Sequence, residues 1–186
     1  NASGDQLTVA TGGSLSATGL ITIGAANDTT EIENINLSGN ITADSDTSGA
    51  EDLSFLSNTP RGVTVTFDTS GVALNSGTGQ IIGANSIFAA GGNSPSFLSD
   101  GGVSWNSLTA SGGTLTLAPV SAGTAINIAG TGGYEISDAT LDGISNNFTK
   151  VTIGSTSAGA VRRNANRVNA KSRVQSHRYI DPHSSN

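Results

Sequence analysis

The chain has 186 residues, 35% hydrophobic and only 12% charged, with 25 glycines, no cysteine, no methionine and a formal net charge of −6. Without cysteine there is no disulfide framework, no thiolate metal site and no cysteine nucleophile, and no apolar run approaches the ~18 residues of a membrane-spanning helix. The residues that build helical bundles are scarce, whereas Ile, Val and Thr recur in short clusters throughout, which points away from disorder and towards an all-β chain.

In chain order the apolar and β-branched clusters predict strands at residues 6–10, 20–23, 31–37, 63–67, 80–83, 86–89, 103–108, 114–118, 125–129 and 150–153. Val63-Thr64-Val65-Thr66-Phe67 and Thr114-Leu115-Thr116-Leu117 alternate with a period of two, so their threonines are read as outward positions. The Thr64/Thr66 and Thr114/Thr116 pairs are too few for an ice-binding threonine array. Between the clusters stand Gly12-Gly13, Gly39-Asn40, Gly91-Gly92, Gly101-Gly102, Gly112-Gly113 and Gly132-Gly133, which read as tight corners.

Strands separated by turns every 8–12 residues fit a sandwich, a barrel or a β-solenoid. Five Phe, one Trp and two Tyr provide few bulky groups for a sandwich core ~10 Å thick, whereas a narrow coil is filled by Ile, Val, Leu and Ala. The fragments Ile21-Thr22-Ile23-Gly24 and Val151-Thr152-Ile153-Gly154 repeat one pattern, as stacked rungs would. The expectation is therefore a parallel β-helix of roughly 20 residues per rung, with a β-sandwich as the alternative.

Charge divides the chain. Residues 1–159 hold thirteen acids against Arg61 and Lys150, whereas residues 160–186 hold Arg162, Arg163, Arg167, Lys171, Arg173 and Arg178 against Asp181 alone. The organisation expected is a β-solenoid body over 1–159 and a basic tail over 160–186, extended or partly helical. The tail reads either as a solvated extension or as an arm whose six basic residues bind an acidic body, its own or a neighbour's. Nucleic acid is disfavoured as a partner because there is no stacking aromatic run and the body would repel phosphate.

Catalytic chemistry finds little support. His177 and His183 lie in the tail beside Ser176, Ser184 and Ser185, with no orienting group in view, so no catalytic residue is assigned. The densest acidic cluster, Asp44, Asp46, Glu51 and Asp52, reads first as a solvated loop and second as a calcium site, although no known calcium-loop pattern is matched. No other cofactor is expected. Trp105, Tyr134, Phe97 and Phe148 are the plausible sugar-stacking aromatics of a carbohydrate-binding or carbohydrate-cleaving solenoid, the alternative function. N-x-S/T sequons begin at Asn1, Asn27, Asn36, Asn40 and Asn147, a number that so much Asn, Ser and Thr produces by chance.

The stretch Gly113–Gly159 resembles repeats of the filamentous-haemagglutinin-like adhesins, large secreted bacterial surface proteins. The matching positions are Leu115-Thr116-Leu117-Ala118-Pro119, Ala125-Ile126, Leu141-Asp142-Gly143-Ile144 and Val151-Thr152-Ile153-Gly154. The segment from Ile21 to Thr42 is similar in style. The resemblance implies a right-handed parallel β-helix that acts in adhesion or as a surface fibre, either as an excised fragment or as a free-standing subunit. The absence of methionine fits a processed chain or a fragment. The function expected is thus non-enzymatic, extracellular or on a bacterial surface. Self-association head to tail is the expected partner mode, with a surface glycan or host receptor as a further partner and no membrane insertion.

Overall fold

The computed structural model describes residues 6–24, 34–46, 49–57 and 62–163. Each turn of the chain lays down three short strands. The first turn is β1 (Gln6–Val9), β2 (Ser14–Ser16) and β3 (Ile21–Gly24). The second is β4 (Asn34–Leu37), β5 (Asn40–Thr42) and β6 (Leu53–Leu56), and the third β7 (Val63–Phe67), β8 (Ala73–Asn75) and β9 (Gln80–Ala84). The fourth is β10 (Ser86–Ala89), β11 (Ser96–Leu98) and β12 (Gly102–Ser104). Then come β13 (Ser107–Thr109), β14 (Thr114–Ala118), β15 (Ile126–Ile128), β16 (Tyr134–Ile136), helix α1 (Asp138–Asp142), β17 (Lys150–Ile153) and β18 (Val161–Arg163).

Three sheets result, ordered β1-β4-β7-β10-β13, β2-β5-β8-β11-β14-β17 and β3-β6-β9-β12-β16-β15-β18. Every strand pairing among the described residues is parallel, and apart from β15 and β16 each sheet takes one strand from each successive turn. This is a parallel β-solenoid, and it displaces the sandwich, whose sheets are antiparallel.

Rung length varies, and most turns exceed the roughly 20 residues expected. Ser107 stands opposite Ile87, 20 residues on, but Thr64 stands opposite Asn34, 30 on, and Lys150 opposite Thr114, 36 on. The strands stay short and stacked, so the extra length leaves at the corners, where a longer loop costs little. The two Thr-Ile-Gly fragments are not stacked equivalents either. Ile21–Gly24 is β3 of the third sheet and Lys150–Ile153 is β17 of the second. What they share is a glycine of positive φ at the end of the strand or just beyond it, Gly24 at 87° and Gly154 at 102°.

Alternation along each strand sends one set of side chains inward, and parallel stacking aligns these into columns. One runs Leu7, Ile35, Val65, Phe88, Leu108 and Ile144; another runs Leu15, Ile41, Leu74, Phe97, Leu117 and Ile153. Thr64, Thr66, Thr114 and Thr116 are half-buried between inward neighbours, on the outer face as read. The few aromatics are concentrated rather than dispersed. Phe55, Phe67, Phe88, Phe97 and Trp105 meet edge-to-face or tilted, with ring centroids 5.0–6.3 Å apart, and fill the middle turns. Gly83 makes room for them: a Cβ there would lie 2.6 Å from the Phe88 ring.

Five of the six glycine pairs contain a positive φ; Gly39-Asn40 does not, because Asn40 opens β5. The expected strand over 103–108 is two, β12 and β13, with a corner at Trp105-Asn106 that has no glycine. Asn106 Oδ1 accepts from Asn85 N–H at 2.9 Å, and Trp105 Nε1 donates to the Thr140 carbonyl of α1 at 2.9 Å. That helix starts at Ser137, whose hydroxyl oxygen accepts from Thr140 N–H, and ends at Gly143.

One connection breaks the simple winding. β15 and β16 are parallel neighbours joined by only residues 129–133, where parallel strands normally need a crossover of a dozen or more. Ala129, Gly132 and Gly133 all have positive φ, which folds the link back tightly. The later strand β16 lies against β12, while β15 is left for β18, so the third sheet gains an extra strand.

Candidate functional site: an acidic corner and two open ends

The corners between the second and third sheets stack like the strands do, and their polar side chains reach from one turn to the next. Asp52 Oδ1 accepts from Gln80 N–H at 2.8 Å, and Asp100 Oδ1 accepts from the N–H groups of Val120 and Ser121 at 2.9 and 2.8 Å. Asn40 and Asn93 act similarly, on Ala73 N–H and the Phe67 carbonyl. A backbone group at a corner has left its sheet ladder, and these side chains replace the lost partner.

Asp44 follows β5 in a left-handed conformation, φ 48°. Its Oδ2 accepts from Thr78 N–H at 2.9 Å and lies 2.7 Å from Thr78 Oγ1. Thr78 Oγ1 also contacts the Gly49 carbonyl oxygen, so one hydroxyl proton serves two acceptors. Glycines allow the close approach: a Cβ on Gly77 would lie 2.6 Å from Asp44 Oδ2, and one on Gly49 would lie 2.5 Å from Glu51 Oε1. Asp44 is only 1% exposed. Its Oδ1 and Glu51 Oε2 are both buried and meet no donor.

The reading of this cluster as a solvated loop is corrected for Asp44, which the next turn covers. It holds for Asp46, which is exposed, whereas Asp52 is engaged with Gln80. Chain distance hides the Thr78 contact, 34 residues away. The signal in sequence was the acid density alone.

The buried Asp44 carboxyl and the half-buried Glu51 carboxyl are pulled in opposite directions. The Thr78 N–H, then the Thr78 hydroxyl, hold Asp44 below its ordinary value. Burial, then the Asp44 charge, push Glu51 up. Asp44 therefore contributes stability above its unfolded value that is lost as pH falls through the folded one. Glu51 costs stability as pH rises from its unfolded value near 4.5 through the raised folded one. Glu51→Gln removes that cost. In chelator its melting temperature should exceed wild type near about pH 7, and the difference should shrink towards about pH 4, where Glu51 is protonated and as uncharged as the glutamine that replaces it. Thermal melts across that range check this; a difference independent of pH would sink it.

The stack has two ends. At the first, β1, β2 and β3 are terminal in their sheets, and Leu15 is 37% exposed although it heads a column whose next four members are fully buried. Leu20 beside it is 64% exposed. At the second, β17 and β18 are terminal in their sheets. Of the six basic residues singled out, Arg162 and Arg163 are exposed on β18, opposite Asn127 and Ile128 of β15, and so belong to the last rung. Arg167, Lys171, Arg173 and Arg178 lie outside the described residues, as do His177 and His183. The four aromatics considered for sugar stacking, Phe97, Trp105, Tyr134 and Phe148, are all buried, and Tyr134 donates its hydroxyl to the Phe97 carbonyl at 3.3 Å. Burial pushes that phenol well above its ordinary range. Among the described residues no helix is long and apolar enough to cross a membrane.

Fold and site define the class, a three-sheet parallel β-solenoid with polar side chains bridging its corners and one apolar column exposed at its first member, Leu15. Comparison with known protein families, with curated proteins and with solved structures finds no match.

Proposed function

We propose that this chain is a non-enzymatic structural or adhesive module of a bacterial surface fibre, acting outside the cell and associating head to tail with copies of itself. The observation that carries the reading is Leu15. Leu15 is 37% exposed although the next four members of its column are fully buried, while Val9, Ile21 and Ile23 of the same turn are covered, so Leu15 is the apolar contact that a further rung would bury. Among the described residues the terminal strands have a sheet neighbour on one side only, and such edges template parallel pairing. The occupant that fits is the opposite end of a second copy, which offers the inward side chains Val151, Ile153 and Val161. A heterologous contact of this kind does not close, and so propagates as a filament. Arg162 and Arg163 at that end, and the basic residues beyond them, suit the acidic body of a neighbour.

The resemblance of Gly113–Gly159 to adhesin repeats supports the same reading. Its first and last quoted pieces are stacked neighbours, Leu115 against Val151 and Leu117 against Ile153, so the stretch forms one full turn. Size-exclusion chromatography with light scattering and negative-stain microscopy test the proposal. The full chain should assemble with rising concentration into particles one solenoid wide. Leu15→Asp should abolish assembly, and removal of residues 164–186 should weaken it in a salt-dependent way. A wild-type chain that stays monomeric at all concentrations would overturn the proposal.

A further inference from the structure

We infer that the Asp44–Glu51 corner is a binding site for a hard divalent cation of calcium's kind. The corner has too many acceptors for its donors. Asp44 Oδ2 and the Gly49 carbonyl oxygen converge on Thr78, which offers one N–H and one O–H, while Asp44 Oδ1 and Glu51 Oε2, on carboxyls that face one another, find no donor. Two of those four oxygens are left buried and unpartnered, and both belong to carboxylates. Asp44, at 1% exposure, cannot turn to water, because Thr78 N–H holds its other oxygen. A buried charge in that position requires either a counter-charge or protonation.

Among the described residues no counter-charge stands there. Among the described residues the only basic side chains are Lys150, Arg162 and Arg163, on β17 and β18 at the far end of the stack. The corner belongs to the second and third turns. Asp46 adds a further negative charge that acts on Glu51. A single proton between the two carboxyls removes one charge and satisfies two oxygens. A divalent cation removes two charges and takes oxygens from both carboxylates and the Gly49 carbonyl at once.

The donor set selects among cations. Carboxylate and carbonyl oxygens without nitrogen or sulfur suit a hard ion, and ligands drawn from a loop and a corner suit the tolerant, water-completed shell of calcium better than the strict octahedron of magnesium. With so few protein ligands the affinity belongs to the weak range of about 10⁻⁴–10⁻³ M. The site would tie Gly49 and Glu51 of the second turn to Thr78 of the third.

The test uses the full chain near about pH 7. Equilibrium dialysis with calcium should give one ion per chain, and about 10 mM calcium should raise the melting temperature by about 3–5 °C. Glu51→Gln should bind none and show no shift, while in chelator it melts at or above wild type. Dialysis of the wild-type chain decides the matter even if a variant fails to fold. The inference is overturned if the wild-type chain binds no calcium, if potassium chloride at equal ionic strength gives the same shift, or if Glu51→Gln responds as wild type does. It is also overturned if acidification in chelator stabilises the wild-type chain while calcium does nothing, because the corner then holds a shared proton.

Discussion

Replacing Phe88 by alanine should lower stability by about 3–5 kcal/mol, the range for large aromatic truncations in closed cores. Phe88 is fully buried and stands at the centre of the aromatic group, 5.4 Å from Phe55, 6.3 Å from Phe67, 5.3 Å from Phe97 and 6.2 Å from Trp105. Strands on both sides hydrogen-bond to β10, so the cavity has little freedom to collapse. Leu15→Ala provides the contrast. It removes a comparable apolar group from a column, but from the uncovered end, and should cost well under about 1.5 kcal/mol. Chemical denaturation of both variants measures the difference. Equal losses would mean that the interior is not one continuous column closed in the middle and open at the end.

The second large effect lies in the backbone. Gly102 opens β12 with φ 103°, and a Cβ there would stand 2.3 Å from the Glu135 carbonyl oxygen and 2.4 Å from its nitrogen. Gly102→Val adds overpacking to a conformation that β-branched residues resist, at a combined cost of about 3 kcal/mol or more. Neither neighbour can yield, since both are main chain, so β12 and β16 must part. Hydrogen exchange should therefore show lost protection at Tyr134–Ile136 as well as a lower denaturation midpoint. Gly12→Ala separates the two causes. Its φ is 76° but nothing lies within 4 Å of the added Cβ, so only the conformational cost of about 1–2 kcal/mol applies. If Gly102→Val costs no more than Gly12→Ala, the close approach of β12 and β16 is wrong.

These results bear on how the chain is written. Strands with clean alternation were legible: Val63–Phe67, Ser86–Ala89, Thr114–Ala118 and Lys150–Ile153 form where their patterns predict. Three-residue strands such as Ser14–Ser16, Ala73–Asn75 and Ser96–Leu98 were not, because three residues carry too little pattern to stand out from a polar loop. Their structure comes from the strand already laid down beside them. The corner at Trp105-Asn106 was hidden for a related reason. Its turn is held by Asn85 and Thr140, which lie 21 and 35 residues away in the chain. The acidic cluster was visible as density, but only stacking shows that Asp44 and Glu51 are the members with buried, unpartnered oxygens.

Composition and strand spacing marked an all-β chain and favoured a solenoid over a sandwich, which the parallel stacking then settled. A chain with one glycine in about seven, few bulky groups and short β-branched clusters has the material for many tight corners and a narrow apolar interior. The tertiary structure alone decided which strands stack, where the five phenylalanines converge or pack, and which acids lose contact with water. The physical reason is the solenoid's geometry. Its stabilising contacts run between turns 20 to 36 residues apart, so each strand's partners are set by how much chain the intervening corners consume. Local pattern records the strands, whereas only the wound coil records their neighbours.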